Sequence, residues 1–544
     1  MNIIVINLTR FGDLLQTQPL IHALTTQGHK VGLVCLKNFA PAAALLDGVD
    51  YVAALPGALV LAEMDSDWRT ALMRVQAFVD DVQQHFPVQG IVNTTATLSA
   101  RLLARSLTIG GQADISVQGF ALDEDGFGCN GNVWATFLQG STMRRLNSPF
   151  NIVDMFRMAG GCAAGPAVNR LRSPLATVRQ AARRLLDRKT ASALQGQACT
   201  GYVSFQLGAS EARRQWPVEY FARLGEALWS EFGLCPLLLG APAERPLAEA
   251  YAALTRTPHV DAVGETDIPH LAALLQYSRL LVTNDTGTMH LAAGLDIPVL
   301  AIFLATAQAW DTGPYREHCC CLEPALPCHP CAFDSTCPHD AACLRAISPE
   351  TVWARIRGFM HTGQWGSGAS EDLPGSRVWL TETDVHGFAH LRCLSSHGDE
   401  DRSLWLELQR HFYRHIIDSL DCRRDCPPVT DFPLPPAHLG QHLSAPFRES
   451  VHTVLRQAED LLHLLTEQGI MAQQVPGPLP GQRFLSTCNR VRSLFEQSAP
   501  LCALGHLWTV ILQERGDDLQ AIIRMALILQ KSLGQWRAYL EIDM

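Results

Sequence analysis

Ile3 to Leu8 is a short apolar run rich in β-branched residues, the pattern of a parallel strand buried on both faces. A helical stretch around Leu20 to Gln27 follows, and Lys30 to Cys35 reads as the next strand. Val75–His85 carries helical spacing and Gly90–Asn93 is strand-like, so strand alternates with helix. The alternation pauses between about Gly111 and Ser173, where glycine and polar residues are frequent. Pro174 to Leu186 predicts a connecting helix, and a second series opens at Gly201–Gln206. It continues with strands over Cys235–Leu239, Leu280–Thr283 and Val299–Phe303, and with helices over Phe221–Trp229, Ala243–Leu254, Ile268–Gln276 and Met289–Gly294. Two α/β halves of similar size are predicted.

Ser348 is placed to cap a helix with Pro349 at its first position and Thr351 where Glu or Gln is usual. His361 to Arg377 is rich in Gly and Ser and reads as a linker. Beyond it, Val451/Leu455/Leu461/Leu462/Leu465 and Ala521/Ile522/Met525/Leu527/Ile528/Leu529 fall at helical spacing. The expected domains are 1–172, 173–360, the linker 361–377, and a separate helical domain 378–544 that carries no chemical motif. On this reading the helical domain is dispensable for nucleotide binding.

Composition changes this picture little. At 544 residues the chain exceeds one core, and its apolar share of 47% and charged share of 18% are those of a globular protein. A net charge of −10 excludes a dedicated nucleic-acid binder, which must neutralise many phosphates. The N-terminus reads as a first strand, not as an export signal. The longest apolar stretch, Ala292 to Trp310, is broken by Asp296, Pro298 and Gln308, so a cytoplasmic location is expected, with a place at the inner membrane face left open.

Three segments carry candidate chemistry. The turn Thr9-Arg-Phe-Gly-Asp13 leaves the first strand where open α/β sheets place ligands, and it lacks the further glycines of a dinucleotide fingerprint and the Gly-Lys-Ser/Thr of a phosphate loop. Asp13 is either a functional carboxylate or a helix cap. Leu280 to Gly294 runs strand, Asn284-Asp285, the small turn Thr286-Gly287-Thr288, then helix. Its free N–H groups make either an anion seat or an ordinary capped turn. In Gly208-Ala-Ser-Glu-Ala-Arg-Arg-Gln-Trp-Pro217 two adjacent arginines are either a phosphate fork or a solvated pair.

In this order and spacing the three segments resemble glycosyltransferase family 9, the ADP-heptose–lipopolysaccharide heptosyltransferases. The residues concerned are Gly12-Asp13, Gly208-Ala209-Ser210 with Arg214-Gln215-Trp216-Pro217, and Asp285-Thr286-Gly287-Thr288-Met289-His290, and the resemblance covers roughly residues 1–360. It implies the GT-B architecture, two facing Rossmann-like domains, and an inverting reaction that needs no cofactor. Asp13 would be the general base; Arg214 with the turn Asp285, Thr286, Gly287, Thr288 and His290 would hold the diphosphate; Glu244 would hold the ribose; and Gly12 and Ser210 would line the site. Arg214 departs from the lysine usual in the family. The implied donor is an ADP-sugar, with heptose the expected sugar, and the implied acceptor is a lipid-linked oligosaccharide or a protein.

Of the 17 cysteines, seven fall between Cys319 and Cys343. Cys328, Cys331, Cys337 and Cys343 have spacings that suit a structural zinc or iron site, the alternative being reduced thiols that pack a loop. Two rival functions stand beside the transferase: a non-catalytic sugar-nucleotide binder with a helical partner-binding domain, and another GT-B enzyme such as a sugar-nucleotide epimerase.

Overall fold

A computed structural model describes residues 1–109, 115–143, 148–333, 335–366, 375–421, 434–475, 477–516 and 518–541. The chain divides into two compact units, one of 1–121 with 151–396 and the other of 122–150 with 397–544.

The first unit holds two sheets. In the first, β1 (Asn2–Asn7), β2 (Lys30–Leu36), β3 (Val49–Leu55), β4 (Gly90–Asn93) and β5 (Ser116–Leu122) follow the order β3-β2-β1-β4-β5, every pairing parallel. Ile4, Val5 and Ile6 are wholly buried, as a strand covered by helices on both faces requires. The second sheet contains β7 (Gly201–Gln206), β8 (Leu234–Leu239), β9 (Val260–Asp261), β10 (Ser278–Asn284), β11 (Val299–Ile302) and β12 (Cys320–Pro324), all parallel. Its core gathers Phe205, Trp216, Phe221, Tyr251, Val282 and Ile302. The first strand of each sheet stands inside its sheet with partners on both sides, the doubly wound arrangement in which ligands meet the carboxyl ends of the strands. Two parallel α/β sheets in one unit give the GT-B architecture expected.

The helix expected over Pro174–Leu186 runs Ala176–Leu194, and Ser348 caps Pro349–Thr362 by accepting from the Thr351 N–H at 3.2 Å. The boundaries beyond residue 360 are drawn differently from the expectation. Residues 367–374 of the expected linker lie outside the described residues. The segment after them forms β13 (Ser376–Thr383) and β14 (Ala389–Cys393), an antiparallel hairpin that extends the second sheet from β12. Val378 and Leu380 belong to the same core as Phe205 and Trp216. The helical unit begins near His397, and it also claims 122–150, with the short strand β6 (Gly128–Asn130) and the helix Val133–Met143.

In that second unit, Asp401–Asp421, Ala445–Gln474, Pro478–Gln497, Cys502–Arg515 and Leu519–Glu541 are helices, in line with the helical periodicity. Trp536 stacks on Trp405 at 4.7 Å and on Phe412 at 4.6 Å. Trp134 Nε1 donates to Asp418 at 3.0 Å and the Val133 N–H to Asp421 at 2.9 Å, so 122–150 is bound to the unit by polar as well as aromatic contacts. No helix among the described residues is long and apolar enough to cross a membrane.

This topology makes the hairpin β13–β14 part of the second sheet. A chain ended at His361 loses β13 and β14 and bares the β12 edge with its wholly buried Cys320, Cys321 and Leu322. It is expected to aggregate or to melt well below the full-length protein, as light scattering and calorimetry would show. A soluble truncated chain with an unchanged melting temperature would restore the modular arrangement.

Candidate active site

The first sheet delivers the helix Phe11–Leu15 directly after β1. The second delivers the helix Gly287–Gly294 directly after β10. The two helices pack with almost nothing between them. A Cβ on Gly12 would stand 3.0 Å from the Gly287 Cα and 3.3 Å from the His290 ring, and a Cβ on Gly287 would overlap the Phe11 ring. Glycine is required at both positions by this close approach, not by backbone angle. Two motifs that lie more than 270 residues apart in the sequence thus share one site.

Asp13 sits in the first turn of its helix, half-buried. That helix is entered from Arg10 with no side-chain cap, and the following helix Gln18–Thr26 is entered from Thr17. Asp13 therefore caps neither. Its backbone carbonyl accepts from Asn7 Nδ2 at 3.3 Å, while its carboxylate has no hydrogen-bond partner among the described residues.

Across the contact, Thr286 opens the helix Gly287–Gly294 without a side-chain cap. The first N–H groups of that helix have no acceptor within it and are left to an outside group. Asp285 does not face this opening alone. Arg214 Nη2 donates to Asp285 Oδ2, and Arg214 Nη1 donates to Ser210 Oγ at 3.0 Å. Arg214 is only 8% exposed, and its Nε–H, wholly buried, has no partner among the described residues. The adjacent Arg213 turns away, donating to Glu211 and to the carbonyls of Phe333 and Ser335. Of the two arginines that were candidates for one phosphate fork, only Arg214 faces the site.

Glu244 sits beyond the ends of β7 and β8, tucked so close to Gly208 that a Cβ there would overlap its carboxylate. It accepts from the Ala241 N–H at 2.6 Å and from Gln206 Nε2 at 3.1 Å. Gln206 in turn accepts from Thr288 Oγ1 at 3.0 Å. This buried glutamine joins the ribose candidate to the anion-seat turn, and sequence reasoning missed it. Its signal was positional, a polar residue closing an apolar strand. Asn284, also missed as a site residue, accepts from the Trp216 N–H at 2.9 Å and donates to the Leu207 carbonyl at 2.8 Å, which fixes the loop that carries Ser210 and Arg214.

Cys328, Cys331, Cys337 and Cys343 lie in one loop. Burial pushes the Cys331 thiol up, and its neighbours Cys328, Cys343 and Cys337 push it further. Four adjacent thiols are a suitable donor set for zinc or iron. Among the described residues, however, no three such side chains converge on a shared ion position. A cleft of about 1320 Å³, lined by Arg170, Arg172, Trp310, Arg316 and His390 among others, includes neither Asp13, Arg214 and Glu244 nor the turn Asp285–Thr288.

A turn with free N–H groups, a buried arginine beside it and, across the Gly12–Gly287 contact, the first turn that carries Asp13 come together on a two-sheet GT-B frame. Residues 173–342 match the model of glycosyltransferase family 9 (heptosyltransferase). It is 32% identical over 138 residues to lipopolysaccharide heptosyltransferase 1 of Pseudomonas aeruginosa, a match covering 25% of this chain and 38% of that protein. It is 30% identical over 101 residues to lipooligosaccharide heptosyltransferase 2 of Haemophilus influenzae, covering 18% of this chain and 29% of that one. The chain thus matches well under half the length of these curated relatives. Among solved structures, Escherichia coli ADP-heptose LPS heptosyltransferase II aligns at a TM-score of 0.49 with 14% identity, over 67% of this chain and 99% of that chain.

The glycine contact yields a direct expectation. Gly287→Ala drives a methyl group into Phe11 and should destabilise the protein by about 1–3 kcal/mol through overpacking, while nucleotide binding falls more than at a control site. Pairing it with Phe11→Leu should recover part of the melting temperature. No recovery would show that the clash lies elsewhere.

Proposed function

We propose that this chain is an inverting glycosyltransferase that moves a sugar from a nucleoside-diphosphate sugar to an acceptor hydroxyl, with ADP-heptose the donor best supported. The carrying observation is the Asp13 carboxylate, half-buried, without a partner among the described residues, and next to Gly12 where the two helices meet. Asp13 takes the proton from the acceptor hydroxyl as its oxygen attacks the anomeric carbon from the face opposite the diphosphate. The bond from that carbon to the diphosphate oxygen breaks, and negative charge grows on the leaving group. The first N–H groups of the helix Gly287–Gly294 and the Arg214 guanidinium receive that charge in a site shielded from water, where fixed dipoles act most strongly. Glu244, held by Gln206 and Ala241, keeps lone pairs for the ribose hydroxyls. Relatives named as heptosyltransferases acting on lipopolysaccharide or lipooligosaccharide support heptose as the sugar and a core oligosaccharide as the acceptor.

A lipid-linked acceptor fits the surface of the first sheet. The helix Gly57–Ser66, at the carboxyl end of β3, buries no side chain. With the helix Trp68–His85 it exposes Leu59, Leu61, Met64, Trp68, Leu72 and Met73. An apolar patch of this kind marks a surface that meets protein or lipid. The full-length protein should float with vesicles of phosphatidylethanolamine and phosphatidylglycerol, and Leu61→Glu/Met73→Glu should abolish flotation with donor hydrolysis intact. Flotation unchanged by that pair removes the lipid argument.

Asp13→Asn should cut transfer at least about a hundredfold with little change in ADP affinity. Arg214→Ala should weaken ADP binding by about 1.5–3 kcal/mol, the cost of a lost charge-assisted contact. Calorimetry and release of nucleoside diphosphate with and without acceptor read both. Wild-type protein that binds ADP but turns over no donor, with Asp13→Asn indistinguishable from it, would favour the non-catalytic binder.

A further inference from the structure

We infer that the hairpin β13–β14 is a positioning element of the donor site, acting through Trp379 and Glu323 on the turn that carries Asp285; this rests on the reading of that turn as the diphosphate seat. The argument begins at Glu323 on β12, whose side chain is wholly buried. A carboxylate removed from water costs several kcal/mol unless donors meet it, so such a residue serves geometry better than stability. Both of its oxygens are engaged. Oε1 accepts from the Ala309 N–H at 2.7 Å and Oε2 accepts from Trp379 Nε1 at 3.1 Å. Glu323 therefore bridges the hairpin to the first residue of the one-turn helix Ala309–Thr312.

That turn ends at the site. Thr312 Oγ1 stands 3.5 Å from Asp285 Oδ2, the oxygen that Arg214 also uses. Trp310 packs edge-on against Trp379 at 5.6 Å and against His390 of β14 at 5.9 Å. A second buried carboxylate grips the segment from its other end. Asp154, on the helix Ile152–Ala159, accepts from Tyr315 Oη at 2.7 Å and from the Ala389 N–H of β14 at 2.8 Å. Burial and the Asp154 charge hold the Tyr315 phenol well above its usual range, so it stays a donor. Asn151 Nδ2 adds a bond to the Gly313 carbonyl at 3.1 Å. Residues 309–315 thus have two anchors, each a buried carboxylate that also binds the hairpin, and they pass its position to Asp285 and hence to Arg214.

The test uses full-length, ligand-free protein and two variants. Trp379→Phe keeps the ring against Trp310 and removes the N–H that Glu323 Oε2 accepts. Trp379→Phe with Glu323→Gln also removes the buried charge; the Gln carbonyl still accepts from Ala309, so only the tie to the hairpin is cut. Hydrogen exchange followed by mass spectrometry should rise in peptides spanning 284–290 and 305–315 in both variants and stay unchanged in β7 and β8. The double variant should melt above the single one, and ADP affinity should fall about five- to tenfold in both, the size of one lost hydrogen bond. Recovery of melting temperature, exchange and ADP affinity together in the double variant would reduce the hairpin to a stabilising role. Unchanged exchange at 284–290 in both variants would overturn the proposal outright. Wild-type protein that does not bind ADP would instead refute the donor-site reading, while the exchange measurement still decides whether the hairpin governs the turn.

Discussion

The contact between Gly12 and Gly287 is the constraint on which the site depends. Two short helices, each at the carboxyl end of a parallel strand, meet backbone to backbone because neither position has a side chain to hold them apart. At that separation the first turn after β1 and the N-terminal turn of the helix Gly287–Gly294 lie side by side. A single methyl group at Gly287 would have to displace Phe11, and the two half-sites would no longer register. The same geometry explains the uncapped entry at Thr286, since a side-chain cap would occupy the N–H groups the site needs.

Around this contact most polar residues hold one another, while the Asp13 carboxylate and the Arg214 Nε–H keep no partner among the described residues. Arg214 divides its fork between Asp285 and Ser210, Gln206 links Thr288 to Glu244, and Asn284 holds the backbone that carries Arg214. Buried pairs of this kind add little net stability because desolvation offsets most of their attraction. What they supply is direction. An arginine held at two points presents its remaining N–H on a fixed line, whereas a lysine ammonium at the same place would be a mobile point charge. Ser210 and Asp285 are the two supports that hold Arg214 in this orientation.

The architecture beyond the two parallel series follows from edges that have to be covered. β12 would end the second sheet with an open row of backbone groups, and β13 pairs with it antiparallel. The helical unit in turn needs Trp134, Phe137 and Phe150 from the segment 122–150 to complete its aromatic core around Tyr413. Neither segment forms part of the unit its place in the sequence suggests.

Local pattern was enough to determine β1, β2, β4, β7, β8, β10 and β11, because a strand covered on both faces must be an unbroken apolar run, but it did not reveal β3, β5, β9 or β12. The candidate residues of the three segments were legible only as alternatives, each with an ordinary structural use, and the resemblance to glycosyltransferase family 9 supplied their expected roles. Tertiary structure alone decided which of them act together. Whether Asp13 was a cap or a free carboxylate depended on the direction of its helix, and which of Arg213 and Arg214 turned inward depended on the cysteine loop that takes Arg213. Glu323 and Trp379 gave no signal and Gln206 only its place at the end of an apolar strand; such positions are common, and the partners lie between 38 and 82 residues away for Gln206 and 14 and 56 for Glu323. The hairpin was hidden for the same reason: pairing across a sheet edge is a property of two distant segments meeting, and neither one shows it by itself.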